Sequence, residues 1–132
     1  MANEAVCIET PTKFARYTVA AGTAIPLNTI LQLSSDPNTA TASSGADVFA
    51  GIAWEEKTIS GGSTEIVAAI DGVWDLTNSG VAITLGGIVC LSGANLIKQA
   101  EAADLLTGAV LGKCLESAAI SEVVRVRVGE GL

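Results

Sequence analysis

Histidine is absent from this sequence of 132 residues. Its absence removes the side chain most used as a general base near neutral pH and the commonest transition-metal ligand. Neither a Ser/His/Asp nor a Cys/His nucleophile system can be assembled. Aromatic residues are scarce, with two Trp, two Phe and one Tyr, so a broad stacking platform is not expected. Cations are scarce as well: seven Lys and Arg stand against fourteen Asp and Glu, a formal net charge of −7 with no basic cluster. Phosphate-backbone binding needs cations gathered on one face, so nucleic acid is not an expected partner. The cysteines, Cys7, Cys90 and Cys114, are odd in number and lack CxxC spacing. They read as small hydrophobes of a protein made in a reducing compartment, and no metal site is expected from them.

Long apolar runs are also missing. The uncharged stretches Tyr17 to Ser35 and Leu76 to Ile97 are interrupted by Gly22, Pro26 and Asn28 in the first and by Asn78, Gly80, Gly86, Gly87 and Gly93 in the second. Both read as buried strands and turns, so no membrane partner is expected. Glu4 and Glu9 in the first ten residues speak against a secretory leader.

Carboxylates close in sequence do not pair convincingly. Glu55 and Glu56 would point to opposite faces of a strand, and Asp71 and Asp75 flank Val73 and Trp74 at a strand end, where turn-forming Asp is expected. A carboxylate-only enzyme would require two of Glu55, Asp71, Asp75 and Glu116 to converge in a pocket. Gly61-Gly62 and Gly86-Gly87 lack the Lys and Ser/Thr of a phosphate loop and read as turns. The sequence is therefore read as non-enzymatic and without cofactor.

What remains is Ala, Val, Ile, Leu and Gly, in a chain that fits one domain with 49% apolar residues, enough to bury a core. Short apolar runs at 17–19, 25–33, 48–54, 65–74, 81–85, 88–91, 109–115 and 123–128 are separated by Gly, Ser, Asn and Asp. This pattern predicts an all-β fold, a small barrel or sandwich of about eight strands. In Val123 to Val128 the valines alternate with Arg125 and Arg127, a half-exposed strand. Only Lys98 to Leu106 has helix-forming composition and is read as a short helix.

An internal repeat divides the body. Gly22-Thr-Ala-Ile-Pro-Leu-Asn-Thr-Ile-Leu-Gln-Leu-Ser34 matches Gly80-Val-Ala-Ile-Thr-Leu-Gly-Gly-Ile-Val-Cys-Leu-Ser92 position for position. The segments starting at Gly51 (GIAWEE) and Gly112 (GKCLES), and those ending at Gly72 and Gly129, then correspond in turn. Two copies are too few for a solenoid, which leaves a pseudo-twofold closed β-domain. The organisation expected is an extended N-terminal arm at 1–15 and a β-rich body at 16–132, with repeats at about 16–72 and 73–132. The arm carries Val6, Ile8, Pro11 and Phe14 without helical or strict strand period; it is either a free tail or a strand added to a neighbour. Trp54 and Trp74 each follow an apolar run and serve either core packing or a subunit contact.

The AAG turn at Ala20 to Gly22, the apolar ladder to Leu33, the Ser/Thr/Ala/Gly loop after it, FAGIAWEE from Phe49 and GGSTEIVAAIDG ending at Gly72 together resemble the capsid decoration, or cement, proteins of tailed phages. The resemblance implies a compact β-barrel or β-tulip without catalysis or cofactor. It further implies a homotrimer at the threefold and quasi-threefold axes of the head, bound to the major capsid protein on the outer capsid surface of a virion assembled in the host cytoplasm, where it stabilises the shell. Val6, Ile8, Pro11, Lys13 and Phe14 would form the capsid-binding arm, with Trp54 and Trp74 as subunit-interface candidates. The duplication is a departure that would also suit a dimer. A carbohydrate-binding or adhesin-like β-sandwich is the alternative.

Overall fold

The computed structural model describes residues 3–45 and 47–129. Among them it forms eleven strands and one helical turn. The first half contains β2 (Phe14–Thr18), β3 (Ile30–Leu33), β4 (Ala40–Ala42), β5 (Phe49–Ala53) and β6 (Glu65–Ala69). The second contains β7 (Gly72–Asn78), β8 (Ile88–Gly93), β9 (Leu96–Gln99), the turn α1 (Asp104–Thr107), β10 (Val110–Cys114) and β11 (Val123–Val128). Both halves are ordered in the same way: β2-β6-β5-β3-β4 in one sheet and β7-β11-β10-β8-β9 in the other, the latter extended by β1 (Val6–Glu9) on β7.

The correspondence holds residue by residue. Ile30 opposes Ile52 as Ile88 opposes Lys113, Leu31 opposes Gly51 as Val89 opposes Gly112, and Ala53 opposes Ala68 as Cys114 opposes Val126. Each half has a bulge on the strand after its hairpin, at Ala50 and at Leu111. Each sheet curls until its outer strands meet in parallel, through Thr18 and Thr39 in the first half and through Thr77–Leu96 and Asn78–Ile97 in the second. The all-β expectation with an internal pseudo-repeat is thus realised as two small five-stranded barrels in tandem. The apolar run 65–74 is one strand by composition but two in the fold, because Gly72, at φ 98°, turns the chain from one barrel into the next.

Each barrel has its own interior. Val19, Ile25, Leu31, Ala50, Ile66 and Ala68 pack inside the first. Trp74, Leu76, Val89, Leu91, Leu111 and Val126 pack inside the second, and Ile30, Ile52 and Ala69 from the outer face of the first barrel join that cluster. At its start strand β3 is therefore buried on both sides, Leu31 inward and Ile30 against the other barrel, which is why two large apolar residues stand side by side there. Polar pins cross the junction: Asn95 N–H donates to Ser43 Oγ at 3.0 Å, Ile30 N–H to Asn95 Oδ1 at 2.9 Å, and Phe49 N–H to the Gly108 carbonyl at 2.9 Å.

Three expectations are corrected. The helix at Lys98 to Leu106 is only the turn 104–107; Lys98 and Gln99 belong to β9, where pairing with β8 overrides local propensity. The run Val81 to Leu85 forms only an isolated bridge, Ile83 to Ala118. Asp75 does not mark a turn but sits within β7, opposite Arg125 of β11.

The matched glycines Gly51 and Gly112 owe their identity to close backbone approach. A Cβ at Gly112 would lie 2.0 Å from the Arg127 carbonyl oxygen, and one at Gly51 2.8 Å from Ala68 Cβ and 2.9 Å from the Ala69 oxygen. Gly112→Ala is expected to cost about 3 kcal/mol, at the upper end of overpacking effects. Gly22→Ala, where the added methyl meets nothing within 4 Å, should stay within about 0.5 kcal/mol of the parent; urea unfolding of the two variants checks the pair.

Candidate interaction surfaces

The first described residues are extended but not free. Val6 faces Asp75, Cys7 faces Trp74 and Glu9 faces Val73, so β1 lies antiparallel on the edge of β7 just before β9 takes that edge over at Thr77 and Asn78. Ala5 is fully buried in the second barrel's cluster, with Cys7 packed against it. The segment thus fills the seam of a barrel in its own chain. Met1 and Ala2 of the expected arm lie outside the described residues.

Alternation along β1 leaves Val6 and Ile8 exposed at 53% and 39%. Of the other arm residues, Phe14 is 45% exposed at the start of β2 and Lys13 is exposed, whereas Pro11 is buried, its Cα 3.3 Å from the place of a Cβ on Gly72. Pro11 is packed against the barrel and presents no exposed surface to a partner. The two tryptophans also separate: Trp74 is wholly buried, its Nε1–H donating to the Asp71 carbonyl at 3.0 Å, while Trp54 is 36% exposed. Trp74 is thereby removed from the subunit-interface candidates. The rings still form one chain, Phe14 to Trp54 at 5.6 Å and Trp54 to Trp74 edge-on at 6.0 Å, running from solvent on the first barrel into the core of the second.

Beside this chain lies a groove of about 650 Å³, whose lining includes Glu9, Lys13, Tyr17, Phe49, Asp71 and Arg127. Its floor is fixed by Tyr17 Oη donating to the Ala50 carbonyl at 2.6 Å. Its rim is fixed by Asp71, which accepts from Thr12 N–H at 2.8 Å, Thr12 Oγ1 at 2.6 Å and Lys13 N–H at 2.9 Å. Partial burial pushes the Asp71 pKa up, but the Thr12 hydroxyl, the two N–H donors and the Lys13 charge outweigh it, and the net shift is down.

The remaining carboxylates serve backbone and cations. Glu55 accepts from Val67 N–H at 3.0 Å; Asp75 holds Arg125 Nε at 3.0 Å, while Glu116 accepts Arg125 N–H at 3.0 Å. Asp75 and Glu116 therefore do converge, but around Arg125, whose pKa the Asp75 contact raises. No group of three or more His, Cys, Asp or Glu suited to a metal occurs among the described residues. Cys90 and Cys114 are buried, and burial, with Asp104 adding to it, pushes the Cys90 thiol up to about 11, far from the thiolate range of a reactive cysteine.

A further surface feature had no signal in the sequence beyond the repeat itself. The bridges Ile25–Lys57 and Ile83–Ala118 are equivalent, and two residues beyond each partner stand Leu27 and Ile59 in one barrel, Leu85 and Ile120 in the other. Their exposures are 46%, 60%, 64% and 61%. Both barrels thus present a large aliphatic side chain at the same two places.

No family model matches the chain, and no curated protein sequence matches it. Among solved structures it is similar to the head fiber gp8.5 N base of bacteriophage phi29, at 15% identity and a TM-score of 0.55, over 89% of this chain and 95% of that one. At this identity the likeness is one of fold, and it spans both barrels.

The Asp71 contacts carry a pH signature. A carboxylate whose folded pKa is depressed contributes stability above its unfolded pKa and loses it as pH falls through the folded one. Asp71→Ala is expected to lower stability by about 1 kcal/mol at pH 7, a hydrogen-bond loss discounted for solvent. The difference from the parent should shrink once pH drops below the ordinary carboxylate range; thermal melts across pH 2 to 7 check it.

Proposed function

We propose that this chain is a non-enzymatic virion protein that decorates a tailed-phage head, binding the major capsid protein lattice on its outer surface and stabilising the shell. The observation that carries the reading is the end-to-end likeness to the base of a phage head fiber, 89% of one chain on 95% of the other. Physical features support it. The tandem barrels have satisfied buried side-chain polar atoms among the described residues and deeply buried thiols at Cys90 and Cys114, as suits an inert scaffold. Leu27 and Ile59, repeated as Leu85 and Ile120, give each barrel the same apolar foothold, an arrangement fitted to a partner that is itself a repeating lattice. Many modest contacts then add through effective concentration rather than through one tight site.

The exposed side of β1 with Phe14 and Trp54 is the capsid-facing candidate within this reading. A homotrimer on threefold axes is the expected assembly, the duplication also permitting a dimer. The test is co-sedimentation with expanded and unexpanded heads of the encoding phage. Because residues 5–9 seal a barrel, point variants replace truncation: Ile8→Asp changes an outward side chain and leaves the seam intact. Saturable binding to expanded heads is expected, weakened about tenfold by Ile8→Asp, the value of one 1.4 kcal/mol contact. Unchanged binding of the variant refutes the arm face; no binding of the parent to either head form refutes decoration and turns attention to glycans.

A further inference from the structure

The two barrels agree strand for strand except at one place. In the second, β1 covers the β7 edge at Val73 and Asp75. The register that aligns Phe14–Ala69 with Val73–Arg127, and Thr18–Glu65 with Thr77–Val123, makes Phe14 and Arg16 the counterparts of Val73 and Asp75 on β2.

Hydrogen bonds show which way these residues face. Ile70 N–H donates to the Lys13 carbonyl at 3.1 Å and Val19 N–H to the Thr64 carbonyl at 2.9 Å, so the odd-numbered residues of β2 address β6. The even-numbered residues address the opposite edge. There Thr18 N–H donates to the Asn38 carbonyl at 2.9 Å, and the Arg16 carbonyl accepts from Asn38 Nδ2 at 3.1 Å. Beyond those contacts no strand among the described residues pairs with this edge at Phe14 and Arg16. Edges of this kind are ordinarily blunted or covered.

We infer that the β2 edge at Phe14 and Arg16 accepts an extended, acidic and apolar segment of a partner protein, which adds to the first barrel as β1 adds to the second. Charge indicates the occupant. The strand that fills the matching seam is Glu4-Ala-Val-Cys-Ile-Glu9, apolar with a carboxylate at each end. The edge carries Arg16, with Lys13 just before the strand, in a chain of net charge −7, and the Arg16 guanidinium pairs loosely with Glu65 at 3.8 Å, both side chains about 60% exposed. Exposed Phe14 and Trp54 supply apolar surface beside the backbone groups. Main-chain hydrogen bonds give such a complex its affinity and the flanking side chains its selectivity. A second copy of this chain is the poorer occupant, since its matching strand is engaged in its own second barrel. The inference does not require that the partner be a capsid subunit.

The probe is a peptide of residues 3–10 carrying Cys7→Ser, added to the ¹⁵N-labelled full chain. Saturable shifts and slowed exchange at the Phe14 and Arg16 amides, with Val73 and Asp75 unmoved, are expected. Arg16→Glu, at an exposed position, should weaken binding about threefold, the worth of one exposed charge pair. Lack of response up to about 1 mM peptide, the weak end of useful affinity, overturns the inference. So do shifts confined to Val73 and Asp75, which mean displacement of the chain's own strand, and equal binding by Arg16→Glu. Protection of the Phe14 and Arg16 amides that grows with protein concentration without peptide assigns the edge to a second copy and overturns it also.

Discussion

A sheet built from Ala, Val and Ile has too little side-chain bulk to hide its inner face while open; it must close, and here closure rests on very short parallel contacts. Thr18–Thr39 closes the first barrel, and Thr77–Leu96 with Asn78–Ile97 closes the second. Just before each contact the chain reverses through an asparagine in the left-handed region, Asn38 at φ 49° and Asn95 at φ 57°, a conformation that Asn tolerates better than other side chains bearing a Cβ. The side chains then diverge in use. Asn38 braces its own barrel through the Arg16 carbonyl, whereas Asn95 reaches Ile30 of the other barrel. One turn element thus performs closure in one half and closure plus barrel–barrel docking in the other.

The β class and the duplication were legible because both depend on local pattern: short apolar runs between Gly and Asn turns, and an ungapped block from Gly22 to Ser34 that recurs from Gly80 to Ser92. What was not legible depends on partners far along the chain. Strand β4, Ala-Thr-Ala, is too short for its alternation to stand out from the polar run around it, and it is held as a strand by Leu31 and Leu33 opposite. Strand β9 begins a stretch of helix formers and is held extended between β8 and β7. Strand β1 has no turn to fold it back, since its partner belongs to the other repeat. For the candidate surfaces, composition singled out Trp54 and Trp74 equally; only the fold shows one at the surface and the other enclosed. The exposed pairs Leu27/Ile59 and Leu85/Ile120 look like core residues in sequence and gain meaning only when both repeats leave them outside.

The duplication also separates what a barrel needs from what it can vary. Gly51 and Gly112, the bulges just before them and the closing contacts recur because strand crossing and closure require them. Lys57 and Ala118 occupy matching bridge positions yet differ completely: Lys57 is buried and its Nζ donates to the Ala21 and Thr23 carbonyls, at 3.0 and 2.6 Å. A buried ammonium is tolerated there because carbonyl oxygens replace its water. In the second barrel the small apolar Ala118 takes that place, buried as well. Two ends that share a backbone can therefore present different chemistry without disturbing the sheets.

Placement of β1 has a consequence for the order in which the molecule is made. Residues 5–9 leave the ribosome before either barrel, but their pairing edge on β7 follows the whole of the first barrel in the chain. The first barrel can close from its own strands as soon as β6 is available, while the second must recruit a strand synthesised long before, a non-local step that carries a loop-closure cost and comes late. Throughout that interval Val6-Cys-Ile8 waits as an uncharged β-forming segment between Glu4 and Glu9. Carboxylates flanking a β-forming segment oppose its association with like segments, and Glu4 and Glu9 stand at those two places.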